Sequence, residues 1–581
     1  MDSTGVAAQA EVAFERPVKA KRKFVAENLV ISNYDDVCPY FDKLEQEAIN
    51  NEKELLVWLD KRSELETVLQ EHLGWLYIRM SCNTRDEKLR GAYHHFINEI
   101  QPHIALAANR LNEKLLETGL AEKVSDKRYT NYFRQVKNQR KIFREENVPL
   151  IAKMQTMEQQ YAAISGEMSI QYKGKEYTMP AAANFLRDPD RAVREEVYAL
   201  IAKRRLQDVD KLNNLLSELV QLRNTIALNA GFQNYRDYRF VDLDRQYSVS
   251  DCEQFHDAIE KNIVPLCRKI DEERKKKLSY SSLRPWDMEV DSSLKPDLKP
   301  FTNADELIRK TMECFDEVSP KLKTGFTFLS DLHRLDLNSR MGKAPGGYNY
   351  PLYETGVPFI FMNASGSLRD VVTLVHEGGH AFHSILTYSL GFSGFKEFPS
   401  EIAELASMSM ELITMSRWNV YFDSEEELKR ARRVHLEDIL KILPWIALID
   451  KFQHWIYTHP QHTAEERAST WSDFQKRFSS GMVDWNGFEN YRATLWQKQL
   501  HIFEVPFYYI EYGIAQLGAL GVWKNFLSNP HEALEKYLRA LSLGYTASMP
   551  QIYETAGVRF DFSEKYINEL ASFLTKEISA M

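Results

Sequence analysis

The chain has 581 residues, 44% apolar and 27% charged, a balance that excludes a largely disordered or fibrous protein and exceeds what one hydrophobic core normally organises. A formal net charge of −9 leaves no general basic field, which argues against a nucleic-acid partner held through phosphates and favours peptides or small molecules. Five cysteines, at 38, 82, 252, 267 and 314, are dispersed and never form a C-x-x-C pair, so neither a disulfide framework nor a thiolate zinc site is indicated, and a reducing cytoplasm fits.

Residues 1–25 read as a flexible arm that lacks the apolar stretch of a secretory signal, and 26–185 as an N-terminal helical lobe with amphipathic spacing over 40–75 and 85–122. Residues 169–179 alternate about Lys173-Gly174-Lys175, which predicts a small hairpin closed by Pro180. A second domain, 186–581, opens with a helical stretch over 188–230 that Gly231 ends. The basic run 274–277 follows three acidic residues and reads as a solvated helical face, and a linker rich in Ser, Pro and Asp covers 279–302. Strands are expected only within 335–363, of which 356–363 carries the strongest β-formers. The apolar stretch 505–523 is interrupted by Glu511 and Gln516, so it reads as a buried helix and no membrane insertion is expected. The expected fold class is mainly α with a small sheet.

The chemistry concentrates in His376-Glu377-Gly378-Gly379-His380. Histidines at i and i+4 project from one helix face and can grip one metal, with Glu377 placed to act as general base on water. Ser367 with Asp370 forms a capping box for this helix, and Gly391 can end it. Two glycines inside a helix each cost about 1 kcal/mol relative to alanine, so their presence predicts a close approach to the backbone. A catalytic zinc needs three protein ligands and an open position. Glu404, 24 residues after His380 on a second helix that begins near Pro399 or Ser400, is the expected third ligand. Glu411, on the same face, is the expected brace for a ligating histidine. Glu401 is explained as an exposed first-turn carboxylate favoured by the helix dipole.

These residues, together with Arg284-Pro285-Trp286-Asp287 and Lys343-Ala344-Pro345-Gly346-Gly347-Tyr348, resemble the thimet oligopeptidase and oligoendopeptidase F family of zinc peptidases. The resemblance implies a two-lobed helical clamshell around a deep substrate channel, with a small β-sheet beside the zinc helix. It also implies one Zn2+ per chain, short unstructured peptide substrates and a cytoplasmic location, with 186–581 as the catalytic domain. It carries over His501, Tyr508 and Tyr512 as groups facing the zinc and the substrate, where a hydroxyl or imidazole N–H could stabilise an oxyanion. His383 matches a recurring family position but is assigned to the core or to support of the ligands, since a fourth ligand would close the open site. An edge strand binds substrate in such peptidases. The strand at 356–363, with Phe361 and Asn363, and a mobile loop with Gly347 and Tyr348 are therefore the expected peptide-binding elements. A zinc carboxypeptidase or dipeptidyl carboxypeptidase, and a non-catalytic zinc-containing peptide-binding protein, remain the alternatives. Nothing in the sequence fixes the oligomeric state.

Overall fold

The computed structural model describes residues 11–581, so residues 1–10 of the expected arm lie outside the described residues. Residues 11–25 form no helix or strand, yet they are anchored. Phe14 is buried against Phe382, with ring centroids 5.2 Å apart, and the Val12 N–H donates to the Glu535 carboxylate.

Helices hold 68% of the residues and strands 4%, as the apolar periodicity predicts. The chain forms two compact units. The first is built from the residues up to Arg140, Lys299–Leu428 and Gly518–Phe560, and the second from Lys141–Leu298, Lys429–Leu517 and Asp561–Met581. The expected boundary at 185/186 falls inside the second unit.

The hairpin forms as expected, β1 (Ser169–Tyr172) pairing antiparallel with β2 (Lys175–Thr178). Lys173 and Gly174 turn it with φ of +48° and +73°, the left-handed pair that suits the twist of a two-residue hairpin. A three-stranded sheet contains β3 (Leu335–Asn338), β4 (Tyr348–Tyr350) and β5 (Phe359–Ala364) in the order β3-β5-β4. The strand expected at the edge, β5, is therefore the central one, parallel to β3 and antiparallel to β4. Its continuous apolar run, Phe359 to Met362, is buried throughout, which suits a strand covered on both faces.

Five helices position the sites discussed below: α1 (Val249–Asn262), α2 (Ala304–Val318), α3 (Leu368–Thr387), α4 (Ser400–Thr414) and α5 (Glu425–Thr458). The Ser367/Asp370 capping box opens α3, and a single 3-10 turn closes on Gly391 at φ +73°. Helix α4 starts directly after Pro399. Among the described residues no helix is long and apolar enough to cross a membrane, and the stretch expected as a buried helix over 505–523 enters its helix only at Tyr509.

Candidate metal centre

Helices α3 and α4 meet at backbone distance, and the two glycines of α3 make that approach possible. A Cβ on Gly379 would stand 2.6 Å from the Ala406 carbonyl oxygen and 2.6 Å from Ser407 Cα. A Cβ on Gly378 would stand 2.9 Å from Cζ of Phe315 on α2. The close approach anticipated from the sequence is thus the crossing of α4 and α2 over α3, and it brings Glu404 and Glu411 to the histidines.

One ligand atom from each of His376, His380 and Glu404 lies within 4.8 Å of the other two. Glu404 Oε2 is 3.4 Å from His376 Nε2 and 3.9 Å from His380 Nε2. Glu411 Oε1 lies 2.6 Å from His376 Nδ1, on the opposite side of that ring, and Ser407 Oγ donates to Glu404 Oε2 at 3.0 Å. Glu411, expected to brace a histidine, thus stands against the Nδ1 of His376.

The electrostatics of the cluster draw positive charge. Desolvation opposes ionisation of Glu404, but the bond from His376 and the charge of both histidines outweigh it and hold the carboxyl at about 2. Desolvation likewise pulls His376 down, but its bonds to Glu404 and Glu411 outweigh that and carry it well above the ordinary histidine value. His380 is desolvated without a comparable bond, and its imidazole is pulled down to about 4. Two imidazoles and a carboxylate, with a second carboxylate behind one imidazole, are the donor set that zinc and similar first-row ions take.

Glu377 is 7% exposed, and burial pushes its carboxyl up to about 7, with the charges of Glu404 and Glu411 adding to the effect. Its backbone carbonyl accepts from Asn349 Nδ2 at 3.4 Å, which ties β4 to the histidine helix. The sequence offered no periodic signal for Asn349, because the pairing depends on sheet register.

The residues expected to bind peptide are placed differently from the expectation. Phe361 is fully buried, its ring stacked at 4.8 Å on Tyr348. Asn363 turns its amide to the carbonyls of Ala344 and Gly346 at 2.8 Å and 3.0 Å. The loop expected to be mobile is held further by Lys343, whose Nζ donates to Asp336 Oδ1 and to the carbonyls of Asn338 and Met362. Phe361 and Asn363 therefore support the loop and β4 from the middle of the sheet. Gly347 and Tyr348 lead into β4, an edge strand.

Glu401 is also corrected, since it is 1% exposed and not a solvated first-turn carboxylate. His383 is buried face to face with Phe398 at 3.8 Å, and desolvation pulls it down to about 3, which fits a core position.

In the second unit, His501, Tyr508 and Tyr512 come together, the ring centroid of His501 lying 5.8 Å from that of Tyr508 and 5.9 Å from that of Tyr512. Gln499 Nε2 meets His501 Nδ1 at 2.6 Å, and burial pulls the imidazole down to about 4. With Nδ1 accepting from the amide, the neutral ring carries its proton on Nε2, the form that can donate.

Residues 184–572 match the family model described as Peptidase family M3, and residues 24–143 match that of the Peptidase M3 N-terminal domain. The chain belongs to peptidase family M3. The resemblance read from the His376-to-Glu411 residues is thereby borne out. Among relatives of this M3 peptidase, an oligoendopeptidase F homolog of Borreliella burgdorferi is 23% identical over 62% of this chain and 60% of its own length. Oligopeptidase PepF of Bacillus subtilis is 24% identical over 66% of this chain and 56% of its own length. The match thus spans less than two thirds of either relative. A structure titled PZ peptidase A with inhibitor 2 superposes with a TM-score of 0.88 at 24% identity, covering 96% of this chain and 99% of the other. A putative oligoendopeptidase F from Bacillus anthracis gives 0.84 at 22% identity, covering 97% and 99%. These likenesses establish the shared, mainly helical fold.

Proposed function

We propose that this M3 peptidase is a zinc-dependent oligoendopeptidase that hydrolyses internal bonds of short, unstructured peptides in the cytoplasm. The observation that carries this reading is the convergence of His376, His380 and Glu404 within 4.8 Å on two helices that touch at Gly379, with Glu377 next to His376 on the same helix. His376, His380 and Glu404 would hold one zinc ion. When bound there, zinc supplies a Lewis acid that polarises a scissile carbonyl and eases deprotonation of water.

The chain's own groups do the rest. Glu377 takes a proton from the attacking water onto a carboxylate oxygen and returns it to the departing amine nitrogen, so no acyl-enzyme is needed. Glu411 takes the hydrogen bond of His376 Nδ1 and so turns Nε2 towards the ligand set. On the family resemblance, His501 Nε2 and the hydroxyls of Tyr508 and Tyr512 would be the donors for the oxygen that gains charge. Main-chain pairing of an extended peptide along β4 gives affinity with little side-chain preference, and Gly347 and Tyr348 lie at the start of that edge.

The test is mass-spectrometric digestion of a mixed library of short peptides by the wild type and by Glu377→Gln at matched zinc content. Internal cuts made only by the wild type are expected. C-terminal trimming alone would move the assignment to a carboxypeptidase, and intact peptides despite bound zinc would leave a peptide-binding protein.

A further inference from the structure

A second group of potential ligands lies in the second unit, where α1 faces α5. Each helix presents two of them at i and i+4: Cys252 and His256 on α1, Asp450 and His454 on α5. This is the spacing that sets His376 and His380 on one face. All four side chains are buried, His454 at 8% being the most exposed. One ligand atom from each of Cys252, Asp450 and His454 lies within 4.8 Å of the other two. The His376 group meets the same bound.

Hydrogen bonding leaves this cluster unfinished. His256 Nε2 meets Asp450 Oδ2 at 2.8 Å, which fixes the carboxylate, but Asp450 Oδ1 and His256 Nδ1 have no hydrogen-bond partner. His454 has none for either ring nitrogen, although its Nε2 stands 3.2 Å from Asp450 Oδ2. At that distance the two atoms are also close enough to serve as neighbouring ligands of one ion. The ring of His454 also packs edge-on against Phe240, Phe507 and His256. Buried polar atoms are nearly always paired, and several unpaired ones that converge call for an explanation.

We infer that Cys252, Asp450 and His454 form a second, buried transition-metal site of the zinc class, with His256 holding the Asp450 carboxylate in place. A thiolate, a carboxylate and a neutral imidazole around a divalent ion leave no net charge in the interior. The thiolate favours zinc or cobalt over magnesium or calcium, which prefer all-oxygen sites. Because the donors come from two helices, the ion fastens α1 to α5.

The test uses the full chain, stripped with a chelator and titrated with cobalt(II). The His376, His380 and Glu404 group contains no sulfur, so a near-ultraviolet sulfur-to-cobalt charge-transfer band reports the second site alone. The wild type and Glu404→Ala should both develop the band at one cobalt per chain in this site, and Cys252→Ala should lose it. His454→Ala should weaken the cobalt affinity read from the band at least tenfold. Absence of the band in the wild type, which requires no variant to fold, overturns the inference, as does a band that persists in Cys252→Ala. Peptidase activity is read separately, so failure of the proposed function and failure of this site are distinguishable.

Discussion

Replacing Gly379 with alanine tests whether the metal centre depends on backbone contact between α3 and α4. The added methyl would lie 2.6 Å from the Ala406 oxygen, and relaxation to roughly 3.5 Å must separate the helices by about 0.9 Å. Alanine gains about 1 kcal/mol in helix propensity, whereas overpacking costs about 1–3 kcal/mol, so the net loss of stability should be roughly 0–2 kcal/mol. The functional loss should be larger than that. Glu404 precedes the contact residues Ala406 and Ser407 by less than one turn, and a misplacement near 1 Å can cost about 100-fold in turnover. Gly378→Ala is the control, because its methyl would meet the end of the Phe315 ring at 2.9 Å and not backbone. Zinc affinity in a metal-buffered titration, kcat/KM and the thermal midpoint should be measured for both variants. Gly379→Ala should lose zinc affinity and turnover with a modest change in midpoint, while Gly378→Ala loses mainly stability. Wild-type zinc affinity and turnover in Gly379→Ala would refute the reasoning.

Glu411→Gln removes the carboxylate 2.6 Å from His376 Nδ1 and should weaken zinc binding by about 10–100-fold, read by competition with a chelating dye. His501→Phe should lower kcat by about 100-fold or more while zinc content stays unchanged, and a selective rise in KM would argue against an oxyanion role. Lys396 is 4% exposed over the rings of Tyr388 and Tyr353, and burial pulls it from 10.5 down to about 8. The unfolded chain therefore binds more protons between those values, so its penalty on stability is full below pH 8 and fades as pH rises to about 10.5. Lys396→Met should raise stability at pH 7 by up to about 3 kcal/mol, and its advantage in thermal midpoint should shrink across that window.

The parts of the site legible in the sequence are those fixed by local chemistry. The i, i+4 spacing, the Ser367/Asp370 capping box and the start of α4 after Pro399 each act over a few residues, and together they place His376, His380, Glu404 and Glu411 on facing helix surfaces. Even the Gly378-Gly379 pair carried its message, since a helix keeps such residues only when something comes close. What approaches could not be read, because Ala406 and Phe315 are distant in sequence. The same limit explains β5: its apolar run signals a strand but not its neighbours, and only the pairing β3-β5-β4 reveals that Phe361 is interior and that β4 lies at the edge. Glu401 and Glu404 share one helix face, and no local rule distinguishes a carboxylate on solvent from a buried one such as Glu401, whose backbone carbonyl accepts from the Tyr553 hydroxyl. The Cys252/His256 and Asp450/His454 pairs are the instructive omission. Each obeys the spacing that singled out His376 and His380, but neither pair holds two histidines, and a cysteine outside a C-x-x-C motif carries no signal until α1 and α5 are brought face to face. The i and i+4 rule alone finds the His376/His380, Cys252/His256 and Asp450/His454 pairs, and Glu404 joins the first only when α4 is set against α3.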